Sequence, residues 1–312
     1  MISMRYHIVS IAGIFLALAL GIVLGATKIN SPLLVGLQGD RDSLTAERDQ
    51  LATDNEELTD RVSSDDAFAG SVGPLAVRGT LPDSSVVVLS TADASAADTD
   101  AVVDLLDKSG AKVTAQLQLT EDFTDPQRAT DLENLAAQNL PAGAKLPESA
   151  GVGTIAGTFL GSVLVTDADG KAPAKADEAT AALSALSSGG FVTATETVAP
   201  GRLVLIVTGA PVDETAEADR AAVVADLAAA LDTTAGGVVV AGPSGSELET
   251  GPVGAIRSDA AANGAVSTVD NVQTTSGHLA AVLALVEQNG GGAGSYGFGD
   301  SAQAQVPQLA VG

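Results

Sequence analysis

The chain has no cysteine. No disulfide can staple its fold, and no thiolate is present to act as a nucleophile or to hold zinc, an iron–sulfur cluster or Cu(I). The absence leaves the compartment open, because exported bacterial chains also dispense with cysteine. Tryptophan is missing too, and the aromatics reach only 3% of 312 residues. That supplies too few rings for a sugar-stacking groove, a single-strand nucleic-acid platform or the girdles of an outer-membrane barrel. Bases are scarce, 15 against 39 acids, for a formal net charge of −24. Residues 1–30 hold Arg5 and Lys28 and no acid, so the remainder carries −26. Such a surface repels DNA, RNA and anionic lipid heads, and no nucleic-acid partner is expected.

What the chain does have is aliphatic. Hydrophobic residues make up 46%, with a mean hydropathy of +0.28. That is ample for one large or two ordinary domains with cores of Val, Leu, Ile and Ala. The longest uncharged run is Ile8 to Ala26. At ~1.5 Å per residue it spans ~28 Å, close to the ~30 Å hydrocarbon layer. We expect a cytoplasmic tail over 1–7 and a transmembrane helix over 8–29. Arg5 before the run favours an inside N-terminus, and Lys28 after it weakens that bias. A cleaved signal peptide with Ala17-Leu18-Ala19 as its site is the rival reading. The apolar run continues through Val23 and Leu24, so an uncleaved anchor in the cytoplasmic membrane is preferred. Gly13, Ala17, Gly21 and Gly25 recur every four residues, a small-residue stripe suited to close contact with another membrane helix.

Leucines spaced by seven follow, at Leu37, Leu44, Leu51 and Leu58. Taken as d positions, they place Leu34, Arg41, Arg48, Asn55 and Val62 at a. The spacing predicts a coiled-coil stalk over 31–66, roughly five heptads and ~50 Å long. Its a layer is mostly polar, so the zipper is weak. Asn55 favours two strands in register, and Arg41 and Arg48 can reach g-position acids Asp40 and Glu47. A homodimer or a partner's helix is expected on this seam. The plain alternative is an amphipathic helix lying on its own domain.

Residues 67–312 read as an extracytoplasmic α/β domain. Ser85–Ser90, Lys112–Leu119, Phe191–Thr195, Leu203–Thr208, Val238–Ala241 and a stretch near Ala265–Val269 read as strands. Helical patterns cover Thr99–Lys108, Asp125–Leu140, Val152–Val165, Lys175–Ser187, Glu214–Leu231 and Ser276–Gln288. Continuous apolar strands alternating with helices imply a mainly parallel sheet covered on both faces. The Ser85 and Leu203 segments echo one another as strand, polar loop, helix, stop and strand. The Gly-rich tail from Gly290 is mobile by composition, with Tyr296 and Phe298 placed to lock it down or to dock elsewhere.

No catalytic, cofactor or metal site is expected. The strand-end loops at Thr91–Asp93, Thr208–Pro211, Gly242–Glu247 and Ser267–Asp270 stand where open α/β sheets bind ligands. They carry no phosphate-cradle pattern and read as simple turns. Gly151-Val-Gly153 follows no strand. No GxSxG elbow supplies a serine to His278, which reads as a helix-terminal residue. Asp167-Ala-Asp169-Gly170 fails the calcium-loop register, and Met1, Met4 and His7 form a soft-ligand cluster best ascribed to chance.

The opening MISMRYHIVSIAGIFLALALGIVLG with its leucine heptads resembles the actinobacterial copper transport protein MctB family. LPAGAKL at 140–146, LVLIVTGA at 203–210, STVDN at 267–271 and GSYGFG at 294–299 agree with it. The resemblance implies copper export or homeostasis in the envelope. It also implies a link to daughter-cell separation beside a membrane partner and wall hydrolases. Carrying over a copper site residue by residue yields none.

Overall fold

The computed structural model describes residues 4–167, 170–194, 198–211 and 217–308; the side chains of 26–38, 194, 217 and 218 fall outside that description. The chain divides into two compact units, Met1–Ser64 and Asp65–Gly312.

Helix α1 spans Met4–Ala76. Within it Met4–Gly25 is long and apolar enough to cross a membrane, with a mean hydropathy of 2.7 and no residue buried. The following stretch is rich in Glu, Arg, Gln, Leu and Ala, which favour helix. Exposed pairs such as Arg61–Glu57 at 2.6 Å add a few tenths of a kcal/mol each. Helical backbone continues past the expected end of the stalk at 66 and stops before Gly79, which takes a left-handed φ of +72°.

The second unit holds seven strands: β1 Ser85–Ser90, β2 Lys112–Leu119, β3 Val192–Ala194, β4 Leu203–Val207, β5 Val238–Ala241, β6 Ser267–Val269 and β7 Ser295–Tyr296. Nine further helices are described: α2 Ala96–Ser109, α3 Glu121–Thr124, α4 Ala129–Gln138, α5 Val152–Leu164, α6 Ala176–Ser188, α7 Glu217–Asp232, α8 Pro252–Ser258, α9 Ala260–Ala265 and α10 Thr275–Asn289. The sheet order is β3-β2-β1-β4-β5-β6-β7. All pairings are parallel except β2 with β3, where Leu119 faces Val192 antiparallel. This is the expected mainly parallel α/β sheet, with one antiparallel edge strand.

Side-chain alternation splits the core into two layers. Val87, Leu89, Val204, Ile206, Val238 and Val240 pack against α3–α9. Val86, Val88, Leu203, Leu205, Val207 and Val239 pack against α2 and α10. Each buried Val or Leu contributes ~1.5–3 kcal/mol relative to exposure. The echoing segments are thus two βαβ units on either side of the β1–β4 seam, with α2 on one face and α7 on the other.

Close helix packing and a pinned tail complete the unit. Gly153, Gly157 and Gly161 bring α5 against α7 so closely that a Cβ on Gly157 would lie 2.7 Å from the Ala230 Cβ. The Gly-rich tail is pinned rather than mobile across its described residues. β7 pairs with β6, Tyr296 is 5% exposed and its hydroxyl donates to Glu287 at 2.5 Å. Burial, then the Glu287 carboxylate, pushes that phenol above its ordinary pKa. Phe298, by contrast, is 56% exposed. At the other end of the unit, Asp66 on α1 accepts the Thr275 N–H at 3.2 Å, at the start of α10.

Candidate functional site

Three places hold the chemistry that the sequence singled out. The first is the heptad face of α1. Leu44, Leu51 and Leu58 are 66%, 62% and 59% exposed, and Val62 joins them. Asn55 is exposed on the same helix. Leu34 and Leu37 have side chains outside the described residues. Arg48 bonds Asp49 at 2.6 Å within the chain. The leucine register therefore sits on a helix surface in contact with water. Phe68, Val72 and Leu75 add exposed apolar side chains near the end of α1. Sequence reading missed these, because Asp65 interrupts the seven-residue spacing. On the apolar segment, a Cβ added at Gly13, Gly21 or Gly25 would meet nothing within 4 Å, and Ala17 is exposed.

The second place is the carboxyl edge of the sheet at β5 and β6. Asp270, 1% exposed, pairs with Arg257, 4% exposed, at 2.7 Å. Arg257 also donates to Thr268 Oγ1, Ser301 Oγ and the Tyr296 carbonyl. Asp270 Oδ1 accepts the Phe298 N–H at 2.7 Å. The chain's own tail thus fills this strand end. Nearby, Ser246 Oγ and Asn271 Oδ1 are buried without a hydrogen-bond partner among the described residues.

The third is the carboxyl edge at β1 and β4, where Thr91, Asp93, Thr208 and Arg220 line a cavity of about 190 Å³. Among the described residues, none fills this strand end.

Remaining candidates resolve as follows. His278 sits in the first turn of α10 and its Nε2 lies 3.2 Å from Asp98 Oδ1 on α2. No serine hydroxyl bonds it among the described residues. Gly153 packs on α7, consistent with a structural glycine. Asp167 Oδ1 accepts the Lys171 N–H, while Ala168 and Asp169 lie outside the described residues. Met1 of the soft-ligand cluster also lies outside them. A groove of about 560 Å³ beside α7 and α9 carries Asp226, Asp232 and Asp259. Burial raises the pKa of Asp226, with the Asp259 charge adding to it, and burial raises that of Asp232. Backbone N–H groups of Ala262 and Ala261 lower that of Asp259. Among the described residues no group of three or more His, Cys, Asp or Glu is placed to share a metal ion.

A family profile described as copper transport outer membrane protein, MctB, matches residues 1–307. The chain belongs to the MctB family. The copper transporter MctB of Mycobacterium tuberculosis is 34% identical over 308 residues, covering 97% of this chain and 98% of the relative. The protein of the same name in Mycobacterium leprae is 33% identical over 318 residues, 99% and 100% of the two chains. Family membership thus spans the anchor, the heptads and the α/β unit. The single apolar N-terminal helix and the family's membrane description together fit a membrane-anchored protein.

Proposed function

We propose that this chain is a non-enzymatic, single-pass protein of the cytoplasmic membrane that works by holding a partner through the heptad face of α1. Its N-terminus is inside, and residues 30–312 face the envelope. One observation carries the reading: Leu44, Leu51 and Leu58 stand in heptad register and are all more than half exposed on a helix. Exposed leucines cost little singly, but a stripe of them marks a helix awaiting a second one. A parallel homodimer satisfies Asn55 across the a layer and brings Arg41 and Arg48 to Asp40 and Glu47 of the second helix. A membrane partner or a wall hydrolase with a complementary helix uses the same surface.

The test is Leu44→Ser with Leu51→Ser in a deletion strain. Burying a Leu stabilises a contact by ~1.5–3 kcal/mol, so the pair removes several kcal/mol from a weak zipper. Cross-linking through the stalk should be lost while the protein stays at normal level and its outer unit stays folded. The strain should match the deletion. Full complementation by a well-expressed double variant would reduce the heptads to a spacer.

A second reading is copper export or homeostasis, favoured by the name of relatives that match over nearly the full length. One membrane helix does not enclose a pore, so copper would move through an assembly to which this chain contributes. Copper hypersensitivity of the deletion strain with normal division supports this reading. Chained, unseparated cells with normal copper tolerance support the first.

A further inference from the structure

The strand end between β1 and β4, unfilled among the described residues, has the attributes of a binding site. These neighbouring parallel strands send their following helices to opposite faces of the sheet, α2 to one and α7 to the other. Loops that diverge in this way leave a crevice at the carboxyl ends, where open α/β sheets bind ligands. The cavity of about 190 Å³ lies there. It is smaller than the ~300–1,000 Å³ of drug-sized sites.

Its lining sets polar and charged side chains among apolar ones, beside strands whose interiors are apolar. Thr91 and Thr208 are 4% and 2% exposed, so hydroxyls are buried at the ends of both strands. Both hydroxyls are satisfied within the chain, Thr208 Oγ1 donating to the Gly209 carbonyl at 3.3 Å, so a guest would meet the charged side chains of the lining instead. Thr91 Oγ1 donates to Asp93 Oδ1 at 2.5 Å and fixes that carboxylate. Asp93 presses against the backbone of Gly209, where no Cβ would fit. Among the described residues, Glu121 from α3 and Arg220 from α7 complete the charged lining. Arg220 is half-buried and makes no ion pair or hydrogen bond among the described residues, in a chain with 39 acids to 15 bases.

We propose that this cavity binds a small zwitterion, either a free α-amino acid or the end of a short peptide. Its carboxylate sits on the Arg220 guanidinium and its ammonium on Asp93 and Glu121. Among the described residues, two carboxylates and one guanidinium give the lining a negative balance, which disfavours phosphate dianions. The loops also lack the glycine cradle that wraps phosphates. A guanidinium pairs a carboxylate through two parallel N–H bonds, while an ammonium suits carboxylates as a compact charge. The small volume admits a short side chain against Val224. The proposal stands apart from the stalk reading, and either can fail alone.

The test is calorimetric titration of the full-length protein in lipid nanodiscs with alanine, alanyl-alanine, N-acetylalanine and alaninamide. Alanine or alanyl-alanine should bind. The blocked compounds, each lacking one charge, should bind at least ~10-fold more weakly, the scale of one charge-assisted bond. Saturation by alanine assigns a free amino acid, and saturation by the dipeptide alone assigns a peptide end. Arg220→Gln should lose binding with an unchanged melting midpoint. Should that variant melt lower, Glu121→Gln at an exposed carboxylate applies the same test to the ammonium end. The proposal is overturned if neither unblocked compound binds, if the blocked ones bind as well, or if both variants keep wild-type affinity.

Discussion

Arg257 and Asp270 form an ion pair with almost no access to water. Such a pair stabilises little against a well-packed apolar alternative, but breaking it strands a buried charge. Arg257→Ala should therefore lower unfolding free energy by ~3–5 kcal/mol, read from denaturant midpoints. It should also expose residues 297–301 to protease, because Arg257 holds Ser301 and the Tyr296 carbonyl. Asp232 behaves in the opposite sense. Burial raises its folded-state pKa above the unfolded value, so the folded form binds the extra proton and stability falls as pH rises through that window. Asp232→Asn should raise the melting midpoint at pH 7, and the gain should vanish below the ordinary carboxylate range. A gain that persists at low pH would assign it to something other than charge. Neither the Arg257–Asp270 pair nor the His278–Asp98 contact was legible beforehand. STVDN and GSYGFG stood out as separate fragments, and no periodicity links Arg257 to Asp270 or His278 to Asp98 across 180 residues.

Long, strongly patterned elements were legible, and short ones were not. β1, β2 and β5 match the expected strands residue for residue, β1 and β5 because they are continuous Val-rich runs and β2 because apolar and polar residues alternate along it. α8 and α9 have seven and six residues, too few turns for a hydrophobic period to show. β7 has two residues and is a strand only because β6 lies beside it. The antiparallel direction of β3 is set by the route of the chain through α3–α6, which local pattern does not encode. α7 was expected from Glu214; residues 214–216 lie outside the described residues, and its described part begins at Glu217. The α5–α7 contact gives this level its own test. Gly157 faces the Leu227 carbonyl and Ala230 Cβ at distances that admit no side chain. Gly157→Val should cost ~1–3 kcal/mol through overpacking and lower the melting midpoint of the α/β unit. An unchanged midpoint would mean the helices separate freely.

The whole chain carries few soft ligands: no Cys, two Met and two His. Titration of the full-length protein against a Cu(I) chelator should show no stoichiometric site of nanomolar affinity. Such a site would mean that oxygen donors or a second copy complete a coordination shell. The sheet order has a different consequence, one of timing. β1 is the first strand made, yet its neighbour β4 pairs Val86 with Leu203, more than a hundred residues later. The buried Asp270 stays without its amide donors until Phe298 and Gly299 arrive. Folding dominated by such distant pairings is slow. On the proposed topology, a chain delivered N-terminus first could form β1-α2-β2 early, but its sheet would stay unfinished until nearly all of it had been made. That is the state a translocation channel can pass.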